Sequence, residues 1–281
     1  MTTIDGQTIN TMFKGIDDTY KDILVRSRRN EFFDVVAAIS ATNQPCLPRP
    51  ELIFEAFRRT QYDRTRVILI GQDPYPTAGD AMGLAFATNA ATTPRSLANI
   101  ITALQKSNYQ TPTSDISTWA DRGVLMLNTA LTVEIGKPDS HKNIWAAYIT
   151  NVIEDILTRK AAESTEVILM LWGNKAHAVQ SVVSAVNFAT ANRNPTNPIV
   201  HRVVTWCHPS PLANKGTPDT NRKHFANTDN FRKINRWLAD ANLPEIDWST
   251  REELTKTTSQ IPLDGADDAH ASAKAAAPAP Q

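Results

Sequence analysis

The sequence predicts an α/β protein: a single domain on a central four-stranded, mainly parallel sheet with helices on both faces. Four short apolar runs, RVILI (66–70), VLMLN (124–128), VILMLW (167–172) and RVVTW (202–206), carry the sheet. Amphipathic stretches separate them, such as Leu97, Ile100, Ile101 and Leu104, and then Trp145, Ile149, Val152, Ile153 and Ile156. The runs are continuously apolar rather than alternating, which is the pattern of parallel strands covered on both faces.

In chain order, the first helical pattern starts near Asn30 and is expected to turn Phe33, Val36 and Ala37 to one face. A second starts at Pro50, a good first helical position, with Leu52, Ile53, Ala56 and Phe57 at helical spacing. RVILI is too short for a helix and is followed by Gly71 and Pro74, so it reads as the first strand. The chain from about Ser259 changes character, to SQIPLDGADDAHASAKAAAPAPQ, without one aromatic residue. Nothing there can offset the entropy of ordering the backbone. The expected organisation is therefore one domain over 1–258 and a disordered tail over 259–281.

Composition narrows the function classes. The chain has 281 residues, 41% of them hydrophobic and 21% charged, which excludes a wholly disordered protein and allows a full core without staples. Two cysteines, Cys46 and Cys207, cannot build a disulfide framework or a four-thiolate zinc site, and they point to a reducing compartment. Met1–Asn10 lacks the charged-then-apolar layout of a signal peptide, and no apolar run approaches the ~20 residues of a membrane span. The expectation is a soluble cytoplasmic protein with no membrane partner. Lys and Arg number 29 against 29 for Asp and Glu, so no global basic field advertises nucleic acid, although a local groove remains open.

Ligands of open parallel sheets bind beyond the carboxyl ends of the strands. The first run ends in Gly71-Gln72-Asp73-Pro74-Tyr75-Pro76 and the second in Asn128. The third ends in Gly173-Asn174 and the fourth in Cys207-His208-Pro209-Ser210-Pro211-Leu212. Each polar residue has a plain structural reading: Asp73 as a turn former, His208 as a loop residue, Asn128 as a cap. Gathered at four strand ends, they can instead read a planar polar ligand and do acid–base chemistry. GxGxxG after the first strand, GxxxxGK[ST], HExxH and paired CxxC are all absent from the sequence, so dinucleotide, P-loop and zinc-hydrolase readings lose support.

GQDPYP (71–76), GLAF (83–86), GVLMLNTALTV (123–133), LWG (171–173) and HPSPL (208–212) together resemble family 1 uracil-DNA glycosylases. PRSLANI (94–100) and SHKNIW (140–145) fall where that family has related stretches, and the resemblance covers about Pro48 to Trp248. It implies a metal-independent, cofactor-free hydrolase acting on uracil in single- and double-stranded DNA. The enzyme would flip the base out and cut its N-glycosidic bond, releasing free uracil and leaving an abasic site. By the same resemblance, Asp73 would stabilise the sugar cation and position water, and His208 would donate to uracil O2. Phe86 would stack on the base, Gln72 would close the pocket through its backbone, and Asn128 would pair with the uracil edge. Tyr75 would exclude the thymine methyl, and Leu212 would wedge into the opened stack. Ser96, Ser210 and the Gly173 region would hold phosphates. A monomer is expected.

The sequence departs from the family pattern at Pro76, where His is commonest, and at Asn174, where Ser is common. After HPSPL it has ANKGTPDTNRKHF (213–225) in place of an aromatic and basic run, with an added Asp219 expected to repel phosphate. Two rival readings are a DNA-binding scaffold that has lost catalysis and a hydrolase of free nucleosides. A scaffold need not keep Asp73, Asn128 and His208 together, and a nucleoside hydrolase would not need Leu212.

Overall fold

A computed structural model of the chain describes residues 6–177 and 179–251; the tail expected from Ser259 lies outside them. Six strands are present among these residues: β1 (Cys46–Leu47), β2 (Val67–Gly71), β3 (Val124–Asn128), β4 (Val133–Glu134), β5 (Ile168–Trp172) and β6 (Arg202–Trp206). Four form one sheet in the order β3-β2-β5-β6, and every pairing in it is parallel. The predicted runs coincide with these strands to within a residue. The two short strands β1 and β4 form a separate antiparallel pair that the sequence reading lacks.

All five residues of β2, of β3 and of β5 are buried. Successive side chains point to opposite faces of a strand, so burial at every position means that both faces are covered. The helices that do this include α1 (Arg29–Ala41), α2 (Arg95–Lys106), α3 (Lys142–Ala162), α4 (Gln180–Arg193) and α5 (Asn230–Asp240). α3 packs against both α1 and α4, and α5 lies against the edge strand β6. In α3 the predicted stripe Trp145, Ile149, Val152, Ile153 and Ile156 is buried throughout.

Two helical expectations need correction. The face of α1 that enters the core is Phe32, Val35, Val36 and Ile39, whereas Phe33 is 40% exposed and Ala37 faces solvent. Both sets have helical spacing, but only the first continues for a further turn with a large apolar residue. Phe33 instead lies under the guanidinium of Arg29. The helix expected from Pro50 is broken into a 3-10 turn, Pro50–Leu52, and a short helix, Glu55–Arg59; Leu52 is only half-buried.

His201 fastens the start of β5 to the end of α3. Its Nδ1 accepts from the Val167 N–H at 3.1 Å and its Nε2 donates to the Leu157 carbonyl at 2.8 Å, with the residue 2% exposed. Only a neutral ring can accept on Nδ1. Burial accordingly pushes the His201 pKa below its ordinary value, and it does the same at His141 and His224. Unfolded histidines therefore bind protons at a pH where the native ones resist, so stability falls as the pH drops below about 6.5. We expect the melting temperature to decline between about pH 7 and about pH 5.5, and His201→Gln to flatten that slope while lowering stability at neutral pH. An unchanged slope in the variant would remove His201 as a source of the dependence.

Candidate active site

The order β3-β2-β5-β6 has a switch point between β2 and β5, where the chain leaves one side of the sheet for the other. Crevices at such points are the usual ligand sites of open α/β sheets. β2 and β3 are paired in register from Val67 with Val124 to Gly71 with Asn128, so the two strands deliver their last residues side by side. Gly71 has a spatial role here: a Cβ at that position would lie 2.2 Å from Asn128 Oδ1 and 2.9 Å from the Ala85 Cβ. The Asn128 side chain occupies that space and is 7% exposed.

Beyond Gly71 the chain turns through Gln72 and Asp73. The Gln72 carbonyl accepts from the Thr129 hydroxyl at 2.9 Å and from the Ala130 N–H at 3.0 Å, which fixes this peptide against the end of β3. Asp73 Oδ2 accepts from the backbone N–H of Asp139 at 2.7 Å, and Asp139 Oδ1 accepts from Gln72 Nε2 at 2.7 Å. Asp139 has φ +65°. This left-handed turn aims one backbone donor at the Asp73 carboxylate and fixes its orientation. Asp139 escaped sequence analysis; its only signal is its place immediately before SHKNIW.

Phe86 also has a positive φ, +65°, which is unusual for a bulky residue. The Tyr75 hydroxyl donates to its carbonyl at 3.1 Å, tying the two aromatic residues together. The Phe86 ring lies 5.4 Å from that of Trp172 and 5.8 Å from that of His208, tilted against both. Burial, reinforced by the charge of Asp80, pushes the Tyr75 phenol up to about 12, so it stays neutral and hydrogen-bonded.

His208 opens the loop after β6. Its Nδ1 accepts from the Ser210 N–H at 3.0 Å, which puts the ring proton on Nε2 and makes that nitrogen a donor. Gly173 packs behind it: a Cβ there would meet the His208 Cβ at 2.8 Å, and its φ of +85° suits glycine. From α2, Asn99 donates to the Pro209 carbonyl at 2.7 Å. Leu212, at the far side of this loop, is 91% exposed.

Gln72, Asp73, Tyr75, Phe86, Ser96, Asn128, His208 and Ser210 line one pocket of about 380 Å3. This is at the small end of the ~300–1,000 Å3 typical of ligand sites. The predicted set thus converges, except that Gly173 lines a smaller neighbouring cavity of about 260 Å3 and Leu212 stands outside both. The Asp219 carboxylate, exposed to solvent, lies 3.9 Å from Lys106 Nζ. Among the described residues no group of three or more His, Cys, Asp and Glu side chains could hold a metal ion. No helix among them is long and apolar enough to cross a membrane.

A parallel sheet whose strand ends bring a carboxylate, a buried amide and an Nε2-donating imidazole to one small pocket is the framework of an enzyme that reads a planar polar ring. Residues 57–239 match the uracil DNA glycosylase superfamily. The chain is 34% identical over 242 residues to a uracil-DNA glycosylase of Dichelobacter nodosus, covering 83% of this chain and 95% of that protein. It is 34% identical over 250 residues to one of Campylobacter fetus, covering 86% and 96%. The solved mimivirus uracil-DNA glycosylase has the same fold, with a TM-score of 0.60 at 24% identity over 84% of this chain and 90% of that one. The chain belongs to the uracil-DNA glycosylase superfamily.

The tautomer of His208 is open to direct measurement. Long-range proton–nitrogen NMR correlations should report a hydrogen-bearing Nε2 and a bare Nδ1 in the ligand-free protein. The opposite tautomer would mean that the Ser210 N–H is not the partner of Nδ1.

Proposed function

We propose that this pocket hydrolyses the N-glycosidic bond of deoxyuridine in single- and double-stranded DNA, releasing free uracil and leaving an abasic site for base excision repair. The observation that carries the reading is the convergence of Asp73, Asn128 and His208 on one pocket at the ends of β2, β3 and β6. The order and spacing of the five motifs support placement in family 1 within the superfamily and the action of a hydrolase that needs no metal.

The target carbon is unreachable inside a duplex, so the nucleotide is first rotated out of the stack. Leu212, exposed on its loop, fills the vacated space, while Ser96, Ser210 and the Gly173 region hold the flanking phosphates. This exposed wedge favours a DNA substrate over free nucleosides. In the pocket, Phe86 stacks on the base, the Gln72 backbone closes over it, and Asn128 donates to O4 while accepting from N3–H. Cytosine reverses both polarities at that edge and would leave buried groups unpaired, at about 1–3 kcal/mol each. Tyr75 occupies the space that a 5-methyl group needs.

As the bond between C1′ and N1 breaks, its electron pair leaves with uracil and positive charge builds on the sugar. Asp73 stabilises that cation and orients the water whose oxygen adds to C1′; the proton this water loses balances the one the departing uracil anion takes up to leave as neutral uracil. His208 Nε2–H donates to O2 as the base becomes anionic. Donors and charges aimed in advance at developing charge are usually the largest catalytic term.

The direct experiment is incubation of the purified protein with a uracil-containing oligonucleotide in chelator. Free uracil and an abasic strand are expected, and thymine and cytosine strands should be untouched. Activity that requires an added divalent metal would overturn the mechanism. Asp73→Asn should lower turnover by roughly a hundredfold or more while leaving DNA affinity nearly unchanged, because its charge matters mainly when the sugar is cationic. Equal losses in binding and turnover would reduce Asp73 to a turn residue.

Two pocket variants test base selection. Tyr75→Ala should gain weak thymine excision, and Asn128→Asp should gain cytosine excision, each with a slower reaction on uracil. Single-turnover assays in which neither variant acts on its new base would refute the pocket assignment.

A further inference from the structure

Asn214 lies in the segment where the sequence lacks the aromatic and basic run of the family pattern. A polar residue in a surface loop, it is nevertheless 7% exposed. Its Nδ2 donates to the His208 carbonyl at 2.7 Å and to the Ser210 carbonyl at 2.7 Å. Its Oδ1 accepts from the Phe225 N–H at 2.5 Å and lies 3.5 Å from the Cys207 sulfur, whose single S–H has the nearer Lys223 carbonyl at 3.2 Å. The orientation of the amide is fixed by its partners, since carbonyls can only accept and a backbone N–H can only donate. One side chain therefore uses both donors and its acceptor to hold three backbone groups.

These bonds close 208–214 into a ring. Backbone bonds from the Ala213 N–H to the Ser210 carbonyl, 3.1 Å, and from the Asn214 N–H to the Pro211 carbonyl, 3.1 Å, tighten it further. His208 stands at one end of the ring, and Leu212, 91% exposed, projects from it. The ring is moored through Phe225, which is fully buried with its ring 4.8 Å from that of Trp172. Trp172 is in turn 5.4 Å from Phe86.

We propose that Asn214 is a positioning residue that sets the imidazole of His208 and presents Leu212 on a rigid base, supplying from within the loop the support that aromatic residues give elsewhere in the family pattern. The proposal rests on the reading of the pocket as a uracil-excising site. Wedging into a duplex costs unstacking energy, and a floppy wedge adds the entropy of ordering its own loop to that cost. Single-stranded DNA needs little unstacking, so loosening the ring weighs more heavily on duplex substrate.

Asn214→Asp is the sharpest test. It keeps the size and the acceptor for the Phe225 N–H but turns the Nδ2 donor into an oxygen facing two carbonyls. Asn214→Ala removes the bonds without the repulsion and serves if the aspartate variant folds poorly. Single-turnover rates on matched single- and double-stranded uracil oligonucleotides should fall on both, by about tenfold on single strands for two lost hydrogen bonds, and at least about fivefold further on duplex. In a Leu212→Ala background the extra duplex loss should vanish, because no wedge remains to be presented. A ratio of duplex to single-strand rates that does not change, or an extra duplex loss that persists without Leu212, would overturn the proposal. Wild-type protein that releases no uracil from either substrate would instead overturn the reading on which it rests.

Discussion

The parallel register between β2 and β3 sets the geometry on which everything else rests. Gly71 is paired with Asn128, and the amide of Asn128 stands in the volume that any side chain at position 71 would fill. Shifting the pairing by one residue would turn Asn128 to the other face and bury an apolar side chain in the pocket. The same register carries the chain from Gly71 directly into Gln72 and Asp73, whose backbone is bound by Thr129 and Ala130 from the neighbouring strand end. Thus an amide and a carboxylate that lie 55 positions apart in sequence are held by ladder hydrogen bonds rather than by a flexible loop.

The opposite wall of the pocket depends on aromatic packing. Trp119 and Trp248 meet edge to face at 5.1 Å, Trp248 reaches Phe231 at 5.2 Å, and Phe231 reaches Trp172 at 6.0 Å. Trp172 then contacts Phe86, which contacts His208. A continuous path of rings leads from the centre of the core to the catalytic imidazole of the proposed mechanism. Such pairs contribute about 0.5–1.5 kcal/mol each beyond the area that they bury. The loop after β6 is thereby connected to the core through ring contacts at a place where loops ordinarily run over the surface.

Much of this was legible in the sequence because buried parallel strands leave an unambiguous trace. VILIG, VLMLN and ILMLW hold no polar residue before their ends, and Gln72, Asp73 and Asn128 at the ends of the first two meet in the pocket. Helical faces were less certain. Phe33 and Phe32 both fit helical spacing, and what separates them is a single further apolar position, Ile39, which continues the Phe32 face. Asp139 and Asn214 were illegible for a different reason. Each acts through backbone geometry, a left-handed φ in one case and a closed ring in the other, and neither leaves a periodic or compositional signal.

The bond from the Tyr75 hydroxyl to the Phe86 carbonyl has an evolutionary reach. Phe86 is held in a left-handed conformation that a bulky residue adopts only under constraint, and Tyr75 supplies one of its fastenings. The proposed gatekeeper against a methyl group is therefore also a fastening of the backbone of Phe86, the residue proposed to stack on the base. On the proposed mechanism, a lineage that shortened position 75 to broaden its range of bases would unfasten Phe86 in the same step. Selectivity and speed would then be coupled at that position, and a descendant with wider tastes would need a second change near Phe86 to recover its pace.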